Sequence, residues 1–423
     1  MSIRTDAQTI IQQSLQACLP DQAVSRALAH RTFGPGRLRL VAIGKAAWQM
    51  AACAGQLLGE RLEAGVVVTK HGHSRGEIPR CTVYEGGHPL PDQGSYRGTQ
   101  AAMDLVQGLA AEDTVIFLVS GGGSALFERP LIPPDELTAI TQALLACGAD
   151  IVEMNTIRKR LSAVKGGRFA QLCAPARVFS IVLSDVLGDP LDMIASGPAY
   201  PDCSTCQEAL AVAEKYRLHL SPAAWDLLRT ETPKALDNIE AVITGSVREL
   251  CAAAQAACRS LGYETILLTD QLCCQAKEAG SFLASIAKTH QNTPRPLAFL
   301  AGGETVVQLT GPGKGGRNQE LALAAAQGIA GLQNTLVFSL GSDGTDGPTD
   351  AAGGIVDGGT RGRLEALGLR IPQILQNNDS YHALAQVDGL IRTGPTGTNV
   401  NDLAVLLLGG SASGYGRGAD GLF

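Results

Sequence analysis

Short apolar runs with no polar alternation take turns with helical patterns along most of this chain, and that pattern admits few folds. The runs Leu38–Ile43, Thr114–Val119 and 178–183 hold almost only aliphatic and aromatic residues, so each needs cover on both faces, as in a mainly parallel sheet between helices. Strands at 65–69 and 82–85 belong to the same series, and the spacing predicts helices over 46–58, 95–109, 134–147 and 151–164. The last of these is capped by Asp150 and stopped by Gly166-Gly167. Residues 5–30 read as two short amphipathic helices. A less regular helical stretch, 207–229, leads to Thr232-Pro233, and there the alternation restarts, with strands at 241–244, 265–268, 297–300, 305–309, 335–340 and 403–408 around helices at 246–260, 274–288 and 318–330. Two α/β domains with mainly parallel sheets facing a cleft are expected. The larger covers 1–233 and the smaller 234–408, and a flexible Gly/Ser-rich tail follows at 409–423.

At 423 residues the chain is long enough for more than one core. Its 34 Lys and Arg against 40 Asp and Glu, with no basic run, give no footprint for nucleic acid. No apolar stretch approaches the length of a membrane span or a signal-peptide core. Eleven scattered cysteines fit reduced residues of a cytoplasmic protein, and the lone C-x-x-C at Cys203 and Cys206 has no second pair to complete a zinc site.

Ligands of parallel α/β sheets sit beyond the carboxyl ends of the strands, so the residues just after each run carry the information. Gly44-Lys45 follows the first run. Ser120, Gly121, Gly122, Gly123 and Ser124 follow the run ending at Val119 and offer consecutive N–H groups with two hydroxyls, which can wrap a phosphate or a carboxylate; a tight turn without a ligand is the plain alternative. No Gly-Lys-Ser/Thr closes this stretch, so it is not a Walker A loop, and Ala125 after Ser124 rules out a nucleophile elbow. Gly311, Gly313 and Gly316 match the dinucleotide pattern G-x-G-x-x-G, yet Lys314 lies inside it, beside Gly315 and Gly316, and Arg317 directly follows. Two cations suit a highly charged phosphate group or a phosphoryl group in transfer.

Asp185, Asp189, Glu304, Asp343 and Asp346 make an acidic set at strand ends. Each alone is a common turn-former, but beside anion-binding loops the set invites a divalent cation, Mg²⁺ first, or a base for an attacking hydroxyl. Asn155, Arg158 and Ser162 share a helix face that Lys165 continues, either as a solvated basic face or as a seat for a carboxylate. For His71, His73 and His88, loop structure or substrate contact fits better than metal binding.

Taken in order, Gly44-Lys45-Ala46-Ala47, Gly86 to Asp92, Ser120 to Ser124, Asn155 to Lys159, Lys165-Gly166-Gly167, Ser184 to Asp189, Ser196-Gly197-Pro198, Gly302 to Thr305, Gly315 to Glu320, Gly341 to Gly347 and Thr396 to Asp402 make the chain resemble the glycerate 2-kinase family, the class II glycerate kinases whose C-terminal part is called the MOFRL domain. The resemblance spans nearly the whole chain. It implies a Rossmann-like N-terminal domain, a MOFRL-type C-terminal domain, and ATP-dependent phosphorylation of D-glycerate at its 2-hydroxyl with Mg²⁺ or another divalent cation. By the same resemblance Lys45, Arg317 and Asp343 are the catalytic residues, with Asp185, Asp189 and Asp343 the candidate metal ligands. The Ser120–Ser124 loop and Lys314 to Gly316 are expected at phosphate or carboxylate groups, and Asn155, Arg158 and Lys165 at the substrate. D-Glycerate and ATP are the expected partners, without nucleic acid or membrane, and a homodimer is left open. Two rival readings remain: an NAD(P)-dependent hydroxypyruvate reductase resting on G-x-G-x-x-G, and a non-catalytic anion-binding regulator.

Overall fold

The computed structural model describes residues 2–29 and 31–410. They form two compact units, one from Cys18–Ser246 with 397–399, the other from the N-terminal segment ending at Ala17 together with Val247–Thr396 and residues from Val400 onward. The division lies at Ser246/Val247, beyond the expected Thr232-Pro233. The strand expected to open the second domain instead pairs in parallel along the edge of the first sheet, and the N-terminal helix Ile3–Ala17 packs on the helix Val247–Ser260 of the second unit. Most of the expected tail lies outside the described residues. No helix among those described is long and apolar enough to cross a membrane.

The first unit holds strands β1 (Leu38–Ile43), β2 (Leu62–Lys70), β3 (Cys81–Gly86), β4 (Thr114–Val119), β5 (Arg177–Leu183) and β6 (Ile239–Gly245), in the sheet order β3-β2-β1-β4-β5-β6. Every pairing is parallel. Alternate residues serve two cores, which explains why these runs lack a polar face. Val41, Ile43, Phe117 and Val119 join one buried cluster, whereas Leu40, Ala42, Ile116 and Leu118 join another with residues of the helices Pro20–Leu28 and Ala47–Leu58. A third cluster, with Leu137, Leu144, Ile157 and Val212, ties together helices that stand apart from the sheet. The chain steps outward from β1 to β3 and then restarts on the other side with β4, so β1 and β4 flank the point where strand order reverses, and their following loops lie side by side there.

The second unit contains β7 (Glu264–Leu272), β8 (Leu297–Gly303), β9 (Thr335–Gly341), β10 (Gly353–Asp357), β11 (Leu390–Ile391) and β12 (Asp402–Leu408), ordered β11-β10-β9-β12-β8-β7. Four of these described strands, β7, β8, β9 and β11, share one direction, but β12 runs antiparallel between β8 and β9, and β10 antiparallel between β9 and β11. Residues 305–309, expected as a strand, contribute only a bridge at Val306. Because β12 is reversed, its first residue, Asp402, lies at the same sheet end as the last residues of β8 and β9, opposite Gly303 and Gly341.

Candidate active site

In the first unit the loops after β1 and β4 are stitched together by their own backbone. Gly44 has a φ of +111°, open to glycine at little strain, and it turns the chain so that the Lys45 N–H donates to Gly121 O at 2.9 Å and the Ala46 N–H to Ser120 Oγ at 3.1 Å. A side chain at Gly44 would strike Ser120. Below the second loop, Phe117, Phe127 and Phe169 pack with ring centroids 4.9 to 6.1 Å apart, a rigid floor under the short helix Gly123–Leu126.

Gly122, with φ +84°, leaves its upper face bare. A Cβ there would come within 3.0 Å of the His88 ring and 3.3 Å of Lys45 Cε, so Lys45 and His88 meet over this glycine, and the Asp185 carboxylate lies against neighbouring Gly121. The Lys45 ammonium makes no hydrogen bond or ion pair with any described residue. His88 is held near pKa 4 by burial first, and then by the charges of Lys45, Lys70 and His73. The imidazole is therefore neutral in a cationic neighbourhood suited to an anion. Asp189, at φ +54° in the loop after β5, has a buried Oδ1 that accepts no hydrogen bond. A carboxylate oxygen left in that condition fits a hard cation such as Mg²⁺; Asp185 is the other carboxylate of the same loop.

The basic helix face resolves differently from expectation. The helix ends at Arg160 rather than 164, so Lys165 does not continue it. Lys165 is instead fully buried, with Nζ 2.6 Å from Glu128 Oε2 and 2.9 Å from Phe127 O, and burial draws its pKa down to about 8. This is an internal ion pair that fixes the chain just after the Ser120–Ser124 loop, with no ammonium left for substrate. Lys159 is likewise buried between Asp192 and Asp202 at 3.1 and 2.9 Å. Its charge accounts for the clustering of those carboxylates with Cys203, which otherwise resembles a metal site. Asn155 is buried and accepts from Ser196 Oγ at 2.8 Å, and Ser196 meets Ser124 Oγ at 3.0 Å. Arg158 donates to Ser124 O at 2.9 Å, and its Nε is buried without a partner. Both thus reach the loop from behind.

In the second unit Arg317 opens the helix Arg317–Gly328. Its Nε and Nη2 grip the Asp402 carboxylate at 2.5 and 3.0 Å, and its Nη1 lies 2.9 Å from Glu304 Oε1. Asp402 is almost fully buried, and burial raises its carboxyl to about 6 even with Arg317 attached. Asp343 Oδ1 accepts the Thr345 N–H at 2.8 Å, closing a turn beside Gly341. Asp402 is the residue that a search after each strand misses, because it precedes one; the signal is an acidic residue heading an apolar run.

The G-x-G-x-x-G stretch is not bare. The N–H groups of Gly311, Gly313 and Lys314 donate to Asn378 Oδ1, Asn377 O and Asp379 Oδ1 at 2.9, 2.8 and 3.0 Å, and its glycines admit close approach of residues 377–380 and of Asp346. Lys314 Nζ lies over the Tyr381 ring at 4.7 Å. The helix N-terminus that a pyrophosphate would need is occupied by Asp346, which accepts the N–H groups of Asn318 and Gln319 at 3.1 and 2.9 Å. The dinucleotide pattern is therefore a packing motif in which a carboxylate of the chain takes the anion's place.

A family model described as "Domain of unknown function (DUF4147)" matches residues 6–229, and the MOFRL family model matches 297–402. The chain is 50% identical to the D-glycerate 2-kinase of Thermotoga maritima, over 96% of this chain and 99% of that one. A protein of Agrobacterium vitis that carries a hydroxypyruvate reductase name is 38% identical, over 88% of this chain and 100% of its own length. The crystal structure of a Thermotoga maritima glycerate kinase superposes with a TM-score of 0.91 at 49% identity, covering 96% of this chain and 99% of that one. On identity and coverage of this extent, the chain belongs to the glycerate 2-kinase family.

Proposed function

We propose that this chain transfers the γ-phosphoryl group of ATP to the 2-hydroxyl of D-glycerate, releasing 2-phosphoglycerate and ADP. The observation that carries the reading is a lysine ammonium, Lys45, with no hydrogen bond or ion pair among the described residues, beside a glycine loop at the switch point of a parallel sheet. In the transfer a bond forms between the glycerate 2-oxygen and the γ-phosphorus, the bond to the ADP oxygen breaks, and the hydroxyl proton passes to a carboxylate. Little covalent work falls to the protein, whose task is charge and position. Lys45 and Arg317 are assigned to the oxygens of the transferring group, and Asp343 to the hydroxyl proton. In the Ser120–Ser124 loop the N–H groups of Ser120 and Gly123 are engaged by Ile43 O and Ser120 O, so phosphate or carboxylate oxygens are assigned to the N–H groups of Gly121, Gly122 and Ser124. Asp189 and Asp185 would hold a divalent cation, which when bound neutralises phosphate charge.

The reductase reading loses its basis, since the N–H groups it requires are already engaged and Asp346 fills the helix N-terminus. A coupled assay separates the two. Glycerate- and Mg²⁺-dependent ADP release supports the kinase, and oxidation of a reduced nicotinamide by hydroxypyruvate without ADP release overturns it.

A further inference from the structure

We infer that Asp402 is a positioning residue for Arg317, fixing one edge of its guanidinium so that the other edge is presented to the transferring phosphoryl group. The inference rests on the kinase reading and assigns a residue to it. A guanidinium offers two N–H edges, and a carboxylate that binds one bidentately sets the plane and rotation of the whole group. Asp402 takes the Nε and Nη2 edge. It can do so because β12 is reversed and because its neighbours across both ladders, Gly303 and Gly341, have no side chains to crowd the pair. The partner on the remaining edge differs in kind: Glu304, on Nη1 at 2.9 Å, has a side chain 46% exposed against 8% for Asp402. An exposed carboxylate in water exchanges readily with an incoming anion, whereas a buried bidentate one does not. Asp402 is thus the fixed partner and Glu304 the exchangeable one. A second restraint lies in the same first turn, where Asp346 pins the N–H groups of Asn318 and Gln319 and so holds the helix end that carries Arg317.

The test is a double-mutant cycle on the full chain, with ADP release read as kcat and KM for ATP and for glycerate. Asp402→Asn keeps the volume but removes the negative charge and turns one of the two acceptor oxygens into a donor; it is expected to lower kcat by about 10-fold or more with either KM changed by less than about 3-fold. In an Arg317→Lys background, where no planar fork remains to be oriented, the same change is expected to cost less than about 3-fold. Equal losses in the two backgrounds, or an Asp402→Asn enzyme with normal kcat, overturn the proposal. If Asp402→Asn does not fold, Asp402→Glu carries the same cycle, because it keeps the charge and displaces the carboxylate by one methylene. A wild-type chain without glycerate-dependent turnover overturns the kinase reading itself and the proposal with it, whereas an active wild type with an additive cycle overturns the positioning role alone.

Discussion

Lys45 is where residue-scale physics is most direct. Its charge was legible because a cation directly after a buried run and a glycine has few structural uses, and the structure gives that ammonium no hydrogen bond or ion pair with a described residue. Replacing it with Ala should lower kcat about 10²-fold or more while the melting temperature stays near that of the parent, since no hydrogen bond or ion pair with a described residue is lost; a variant with near-normal turnover would remove Lys45 from the mechanism. His88 makes a second residue-scale prediction. Its pKa is about 4 in the fold against 6.5 for a free imidazole, so between those values the unfolded chain binds more protons, and stability falls as pH drops through that window. His88→Gln should flatten part of that slope in thermal unfolding from pH 7 to pH 4.5, and an unchanged slope would show that the imidazole is not what titrates. Lys165 departs from the expected basic face for a physical reason. A base on a helical pattern looks the same whether it faces water or a carboxylate brought near by the fold, and only the placement of Glu128 decides between them.

At the scale of elements, the informative case is the helix Arg317–Gly328. Its glycine-rich approach and cationic start read as an anion site, and the fold does put an anion at its N-terminus, but the anion is Asp346. Removing that carboxylate by Asp346→Ala leaves the Asn318 and Gln319 N–H groups buried and unpaired, which should destabilise the second unit by about 1–3 kcal/mol. Denaturant unfolding checks this, and an unchanged midpoint would mean that the cap adds nothing. In the first sheet β1, β4 and β5 are legible almost to the residue because each is covered on both faces and reads as a nearly unbroken apolar run, whereas β2, β3 and β6 carry polar and partly exposed positions and extend beyond the runs expected for them. The reversed strands of the second sheet were harder. β10, Gly-Gly-Ile-Val-Asp, is too short and glycine-rich to stand out, and strand direction leaves no mark on hydrophobicity. That is why Asp402, at the start of β12, stands in the sequence only as the last residue of the Thr396 to Asp402 motif, with no role read from it.

For the whole molecule, the sequence indicates two α/β units and their cores but misplaces the seam, because β6 looks like the first strand of a new alternation and only its pairing with β5 assigns it to the first unit. The N-terminal helix packing on the second unit is likewise invisible to any reading that takes domains as contiguous in sequence. None of this alters where the proposed residues stand at strand ends within each unit, Lys45 and the Ser120–Ser124 loop in the first and Arg317, Asp343 and Asp402 in the second. The phosphorus NMR spectrum of the product formed from ATP, Mg²⁺ and D-glycerate tests the account most directly. A phosphomonoester on carbon 2, seen by its coupling to the single C2 proton and formed in step with ADP, is the predicted result. A phosphate on carbon 3, or no new phosphomonoester while hydroxypyruvate is reduced at the expense of a nicotinamide, would contradict it.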